Sequence, residues 1–185
     1  MPVETSEREL IVFLDCGDTL IDQGTEVFDE EGVVIRGELI PGADTMVKTL
    51  VQRGYRLALV ADGRAQSFKN LLQQHDLYDL FEALIYSETI KAEKPSPRMF
   101  KAAVGAMDLG PEDYGRIVMV GNNLSRDVRG AKQLGIASVF IDWSPRYPKT
   151  PADEAEVPDY IIHEPMGLLD IIDQIESKLP GQKVS

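Results

Sequence analysis

Long apolar runs that do not alternate with polar residues set the rhythm of this chain. LIVFLD (Leu10 to Asp15), YRLALVAD (Tyr55 to Asp62), FEALIY (Phe81 to Tyr86), RIVMVGN (Arg116 to Asn122) and IASVFID (Ile136 to Asp142) are nearly continuous, and most close on a carboxylate or an amide. Strands buried on both faces have this form. A short YII (Tyr160 to Ile162) adds a last strand. Between the runs the apolar residues recur at helical spacing. Ala43 to Arg53 carries Val47, Leu50 and Val51 on one side and stops at Gly54. Ala65 to His75 offers Phe68, Leu71 and Leu72. Pro97 to Leu109 opens with Ser96 as a cap and Pro97 at the first helical position. Ser125 to Leu134 and Met166 to Lys178 complete the set.

Strands alternating with single helices predict an α/β chain: a doubly wound, Rossmann-like three-layer sandwich with a mostly parallel sheet. Ligands of such a sheet lie beyond the carboxyl ends of its strands. One domain is expected, with its core at about 10–178. Two segments break the alternation. The two β-prone runs around Glu31 and Gly32 predict a small hairpin over 25–36, folded as a lid over the end of the first strand. Four prolines (Pro145, Pro148, Pro151 and Pro158) predict an ordered but irregular loop after Asp142. Residues from Gly181 to Ser185 are expected to fray.

Composition narrows the setting. A length of 185 residues suits one well-packed core. No apolar run approaches the roughly 20 residues that cross a bilayer, and the N-terminal stretch MPVETSERE lacks the pattern of a signal peptide. A cytoplasmic location is the expectation. The single cysteine, Cys16, excludes an intrachain disulfide and a cysteine-rich metal site, and reads as a packed strand-end residue. A formal net charge of -12 argues against nucleic-acid or anionic-membrane partners. The basic stretch RDVRGAK (Arg126 to Lys132) reads as the solvated face of one helix.

Polar residues gather where three strands finish. Asp15, Gly17, Asp18 and Thr19 follow the first; Ala61, Asp62 and Gly63 the second; Gly121, Asn122, Asn123 and Asp127 the fourth. Lys94 precedes the helix that begins at Pro97. Asp and Asn oxygens converging there suit a hard divalent cation such as Mg²⁺. A lysine amine and free N–H groups at a helix start suit a phosphate. The set fits phosphoryl chemistry with a carboxylate nucleophile. Singly, each residue also has an ordinary structural reading: Gly17 and Gly63 relieve backbone strain, Asp127 complements a helix dipole, and Lys94 is a surface lysine.

VFLDCGDTLID, LALVADG, EKPSPRMF and VMVGNNLSRDVRGAKQLG, in this order and spacing, resemble the four motifs of the haloacid dehalogenase (HAD) superfamily from about Leu10 to Gly135. The resemblance implies that Asp15 is the nucleophile that becomes an aspartyl-phosphate. It implies that Lys94 offsets the charge of nucleophile and phosphoryl group, and that Asp127 holds Mg²⁺ directly or through water. Three positions depart from the pattern. Gly17 stands where many phosphatases of the family have an Asp acid/base, although its carbonyl can still face the metal; Ala61 replaces a phosphate-binding hydroxyl; Asn122 replaces an Asp ligand of Mg²⁺. Loss of an acid/base costs about 10²–10⁴ in rate, and loss of a hydrogen bond to a charged group roughly 1.5–3 kcal/mol.

Phosphate contacts are therefore expected from Asp18, Ala61, Asp62 and Lys94, with Asp18 able to swing toward the vacant acid/base position. The metal set is Asp15, Gly17, Asn122 and Asp127. The short stretches after Leu20 and after Asp62 leave no room for the helical cap of similar members. Only the acidic hairpin, with Glu26, Asp29, Glu30 and Glu31, remains as cover, and these read as solvated side chains. Trp143, Arg146 and Tyr147 are expected to pack their loop onto the domain. Two functions stay open. One is a Mg²⁺-dependent phosphomonoester hydrolase acting through Asp15 on a small phosphorylated molecule or a phosphoprotein. The other is a weak or inactive HAD-fold protein that binds a protein partner through its open site or hairpin.

Overall fold

Apolar runs of this kind need cover on both sides, and the sheet supplies it. The computed structural model describes residues 8–182. In chain order the elements are β1 (Ile11–Leu14), β2 (Val27–Phe28), β3 (Val34–Arg36), α1 (Ala43–Gln52), β4 (Arg56–Ala61), α2 (Ala65–Gln74), β5 (Ala83–Tyr86), α3 (Ser87–Ile90), α4 (Pro97–Ala106), β6 (Ile117–Gly121), α5 (Arg129–Gln133), β7 (Ala137–Ile141), β8 (Tyr160–Ile162) and α6 (Leu168–Lys178). Six strands form one sheet in the order β5-β4-β1-β6-β7-β8, and every pairing in it is parallel.

Alternation along each strand splits the core in two. Val12 and Leu14 of β1 join Leu57 and Leu59 of β4 under α1, α2 and α6. Ile11 and Phe13 join Ala58, Val60 and Met119 under α4 and Ala131 of α5. The result is the three-layer, doubly wound sandwich that the apolar runs imply. The chain passes from β1 to β4 and β5 on one side, then crosses back to β6 on the other side of β1. The carboxyl ends of β1, β4 and β6 therefore lie side by side, where such folds bind their ligands. No helix among the described residues is long and apolar enough to cross a membrane.

The departures from expectation have local causes. The helix expected from Ser125 begins instead as a π turn over Leu124–Val128, and regular α5 follows. The side chain of Asn123 caps its first turn, and Asp127 is turned inward and buried. α4 stops at Ala106, short of Leu109, because Asp108 adopts a left-handed conformation. α6 starts at Leu168, after a 3₁₀ turn at Pro165–Gly167. The proline-rich loop is ordered, and it is tied down by residues of the basic stretch, which is therefore not a purely solvated helix face. Arg129 pairs with Asp153 and Glu156, and Lys132 Nζ donates to the carbonyls of Glu154 and Val157. The N-terminal stretch through residue 7, and residues 183–185 of the end expected to fray, lie outside the described residues.

β2 and β3 form the expected hairpin as a separate antiparallel pair. The hairpin is fastened to α2 rather than free. Ser67 Oγ accepts from Val34 N at 3.0 Å, Asn70 Nδ2 donates to Val34 O at 2.9 Å, and Arg64 Nη1 donates to Glu31 O at 2.6 Å. Gln74 Oε1 accepts from Gly37 N beyond the hairpin. Ser67→Ala leaves the buried Val34 N–H without its acceptor and is expected to cost about 1–3 kcal/mol in urea unfolding. An unchanged midpoint would show that this anchor contributes nothing.

Candidate active site

Lys94 organises the carboxyl ends of the strands. Its side chain is 2% exposed, and Nζ donates to Asp15 Oδ1 at 3.1 Å, Asp127 Oδ1 at 2.7 Å and the Val60 carbonyl at 2.8 Å. The three acceptors come from the end of β1, the π turn after β6, and β4, so one ammonium ties three chain segments together. Gly121 makes this arrangement possible: a Cβ there would fall on the carboxyl group of Asp127. Asp127 Oδ2 in turn accepts from Asn123 N at 3.0 Å. Beside β4, Asp62 accepts from the main-chain N–H of Lys94 at 2.9 Å and pairs with Arg126 at 3.2 Å.

The electrostatics follow from burial. Asp15 has a side chain 14% exposed, and its pKa is raised to about 7: burial outweighs the attraction of Lys94, and the charge of Asp127 adds to the rise. Asp127 is raised for the same first reason, against Lys94 and the Asn123 N–H. Lys94 is raised despite its burial, because Asp127, Asp15 and Asp62 surround it. The pocket therefore holds more buried negative charge than its lysine neutralises.

A cavity of about 250 Å³ opens here. Asp15, Gly17, Asp62, Lys94, Asn122 and Asp127 all line it, as the sequence led one to expect of one site. Two expected phosphate contacts do not reach it. Asp18 is 0% exposed, with Oδ1 accepting from Gln23 N at 3.0 Å and Oδ2 from Arg146 Nε at 2.6 Å. Its left-handed conformation (φ 50) shapes the tight loop after β1, and in this conformation its carboxyl group faces Gln23 and Arg146 rather than the cavity. Ala61 packs into the apolar core beneath α1 and α2, away from the cavity wall. The first N–H groups of the turn after β6 are not free for a phosphate either, since Asn123 Oδ1 accepts from both Ser125 N and Arg126 N.

Other residues take part that sequence reasoning assigned elsewhere. Arg126 lines the cavity instead of facing solvent. Glu26 is a wall residue and not a solvated hairpin carboxylate, and Tyr147 lines the cavity while Trp143 packs on the core. Arg64, Gln23, Phe28 and Phe68 complete much of the wall. Their positions depend on how the hairpin docks on α2, a contact without a local sequence signal. Cys16 is buried and free.

The donor set fits a hard cation in kind. Among the described residues no three His, Cys, Asp or Glu side chains converge as a metal centre, so amide and main-chain oxygens must contribute. They are available: Asn122 is 8% exposed and its carboxamide has no hydrogen-bond partner among the described residues, and no described residue donates to the Gly17 carbonyl. Each Asp127 oxygen already accepts one protein hydrogen bond and keeps lone-pair capacity for another contact. Oxygen donors and uncompensated negative charge are what Mg²⁺ requires.

A family model described as haloacid dehalogenase-like hydrolase matches residues 7–135. The chain belongs to this family. It is 30% identical over 135 residues to a glyceraldehyde 3-phosphate phosphatase of Pyrococcus furiosus, covering 73% of this chain and 55% of that protein. A solved HAD phosphatase from Thermococcus onnurineus superposes with a TM-score of 0.62 at 28% identity, over 73% of this chain and 58% of that one. An uncharacterized protein from Listeria monocytogenes shares the fold, with a TM-score of 0.71 at 17% identity over 91% and 99% of the two chains. The chain spans about half the length of the curated relatives it matches.

Burial of Asp15 gives a direct prediction. Its folded pKa of about 7 lies above the ordinary 3.8, so in metal-free protein the native state holds a proton that the unfolded chain has released. This contribution is favourable at low pH and is lost as pH rises from about 4 to about 7. Urea unfolding in the presence of a chelator, at mildly acid and mildly alkaline pH, should show a fall in stability that Asp15→Asn reduces by on the order of 1–3 kcal/mol. The same fall in both proteins would contradict the assignment.

Proposed function

We infer that this chain hydrolyses phosphomonoesters through an aspartyl-phosphate on Asp15. The observation that supports the reading most is the pairing of Asp15, at the end of β1 and on the cavity wall, with the buried ammonium of Lys94. A carboxylate is a competent nucleophile toward phosphorus when a fixed cation offsets the charge that collects as the two anions approach. Lys94 is held rigidly enough to do this, because Asp127 and the Val60 carbonyl fix its other two hydrogen bonds. Arg126, anchored by Asp62, adds a second positive group on the wall for phosphoryl oxygens. It supplies in part what Ala61, lacking a hydroxyl, does not.

Asp15, the Gly17 carbonyl, Asn122 and, directly or through water, Asp127 are the residues that would hold Mg²⁺. Bound there, Mg²⁺ would contribute positive charge beside the phosphoryl oxygens. Asp15 attacks phosphorus while the organic oxygen departs, and water then cleaves the acyl-phosphate to regenerate the carboxylate. The phosphatase names among the relatives agree with this class of reaction. The cavity volume of about 250 Å³ and the apolar side chains of Phe28, Val34, Phe68 and Leu71 on its wall suit the organic part of a small phosphate ester, or a phosphorylated side chain.

The test is a phosphomonoester screen with Mg²⁺, monitored by phosphate release. The wild-type protein should turn over at least one ester, and Asp15→Asn should lower the rate by about 10³ or more while leaving the fold intact. Equal rates in the two proteins would show that Asp15 is not the nucleophile. No release from any ester would favour a binding role.

A further inference from the structure

A departing alkoxide needs a proton, and the residue two places after Asp15 is a glycine. The structure shows what occupies the space. A Cβ on Gly17 would lie 2.6 Å from Cδ and 2.8 Å from Oε1 of Gln23, so the Gln23 side chain fills the volume that a side chain at position 17 would use. Gln23 opens the 3₁₀ turn Gln23–Thr25, which Asp18 and Asp22 hold by accepting from Gln23 N and Gly24 N. Glu26 ends this turn, its N–H donating to the Gln23 carbonyl, and it too lines the cavity.

The other carboxyl groups on the wall are committed. Asp15 and Asp127 share Lys94, and Asp62 holds Arg126 and the Lys94 N–H. Glu26 makes no hydrogen bond or ion pair through its carboxyl group among the described residues. Strand ends and the hairpin segment both wall the cavity, and in-line displacement sends the leaving oxygen to the side of phosphorus away from Asp15. We propose that Glu26, presented by the Gln23–Thr25 turn, is the proton donor and acceptor of the reaction, in place of a side chain at position 17. The proposal rests on the phosphomonoester reading above.

In the first step Asp15 forms its bond to phosphorus as the phosphorus–oxygen ester bond breaks, and the Glu26 carboxylic acid gives its proton to the leaving oxygen. In the second step the Glu26 carboxylate takes a proton from water as that water's oxygen attacks phosphorus. The bond from phosphorus to Asp15 then breaks, releasing phosphate and free Asp15. The surroundings favour a carboxyl group that exchanges its proton near neutrality. Burial, together with the charge of Asp18 and Asp22, lifts Glu26 to about 6 against the pull of Arg146. The neighbouring Cys16 thiol is buried and raised, chiefly by that burial.

The test compares an alkyl phosphate, β-glycerophosphate, with p-nitrophenyl phosphate, whose phenolate departs without a proton. Glu26→Gln keeps the shape of the side chain and removes the proton. It should lower kcat/KM for the alkyl ester by about 10²–10⁴ and change kcat/KM for the aryl ester by less than a few fold. Because water attack on the acyl-phosphate loses its base, kcat should fall for both. Glu30→Gln, exposed on the same hairpin and away from the wall, should match the wild type. Equal loss of kcat/KM on both esters, or no loss on either, would overturn the role of Glu26 and leave the phosphatase reading standing. A contrast in Tyr147→Phe and not in Glu26→Gln would give the proton to the phenol and also overturn it. Absence of phosphate release by the wild type from these two esters and from every ester of the screen would remove the reaction that Glu26 is to serve, and with it both readings.

Discussion

Lys94 Nζ, almost fully removed from solvent, is the charge on which the strand ends depend. Three chain segments present acceptors to it, and two of those acceptors are carboxylates, Asp127 buried and Asp15 largely so. Each ion alone would be costly to bury, and partners with good geometry repay that cost only when the remaining donors and acceptors are also satisfied. Asp127 meets this condition through Asn123 N, and the Lys94 main chain meets it through Asp62. Asp15 meets it least, and burial pushes its pKa to about 7. Of the two carboxyl groups that share Lys94, Asp15 is the one more exposed to the cavity.

Much of this was legible in the sequence because it is written in local pattern. Near-continuous apolar runs gave the buried strands, and the doubly wound order brought Asp15, Asp62, Lys94, Asn122 and Asp127 to one edge. What escaped was set by contacts between distant segments. Asp18 looked available because its neighbours in sequence leave it free; Arg146, from the proline-rich loop, captures it. Arg126 belonged to a basic stretch, yet it turns to the cavity while Arg129 and Lys132 hold the loop after β7. Asn123 lines the cavity and also caps the turn after β6, occupying N–H groups that would otherwise be free for a phosphate.

The hairpin illustrates the same division. Its two short strands and the turn at Glu31 and Gly32 follow from β-propensity and a glycine with positive φ. Its docking onto α2 follows from hydrogen bonds of Ser67, Asn70 and Arg64, which no local pattern in the sequence marks. That docking carries Glu26 and Phe28 to the cavity wall, and it converts an acidic surface loop into part of the site. The loss of a side chain at Gly17 is likewise not a vacancy, since Gln23 fills it.

Asp15, beside Lys94, must be able to accept a phosphoryl group. Calorimetric titration with Mg²⁺ and beryllium fluoride, which mimics phosphoryl-aspartate, measures that capacity without knowledge of the substrate. Saturable binding that requires both Mg²⁺ and beryllium fluoride, and that disappears in Asp15→Asn, is the predicted result. A folded wild-type protein that binds neither, or an Asp15→Asn protein that binds as well as the wild type, would contradict it.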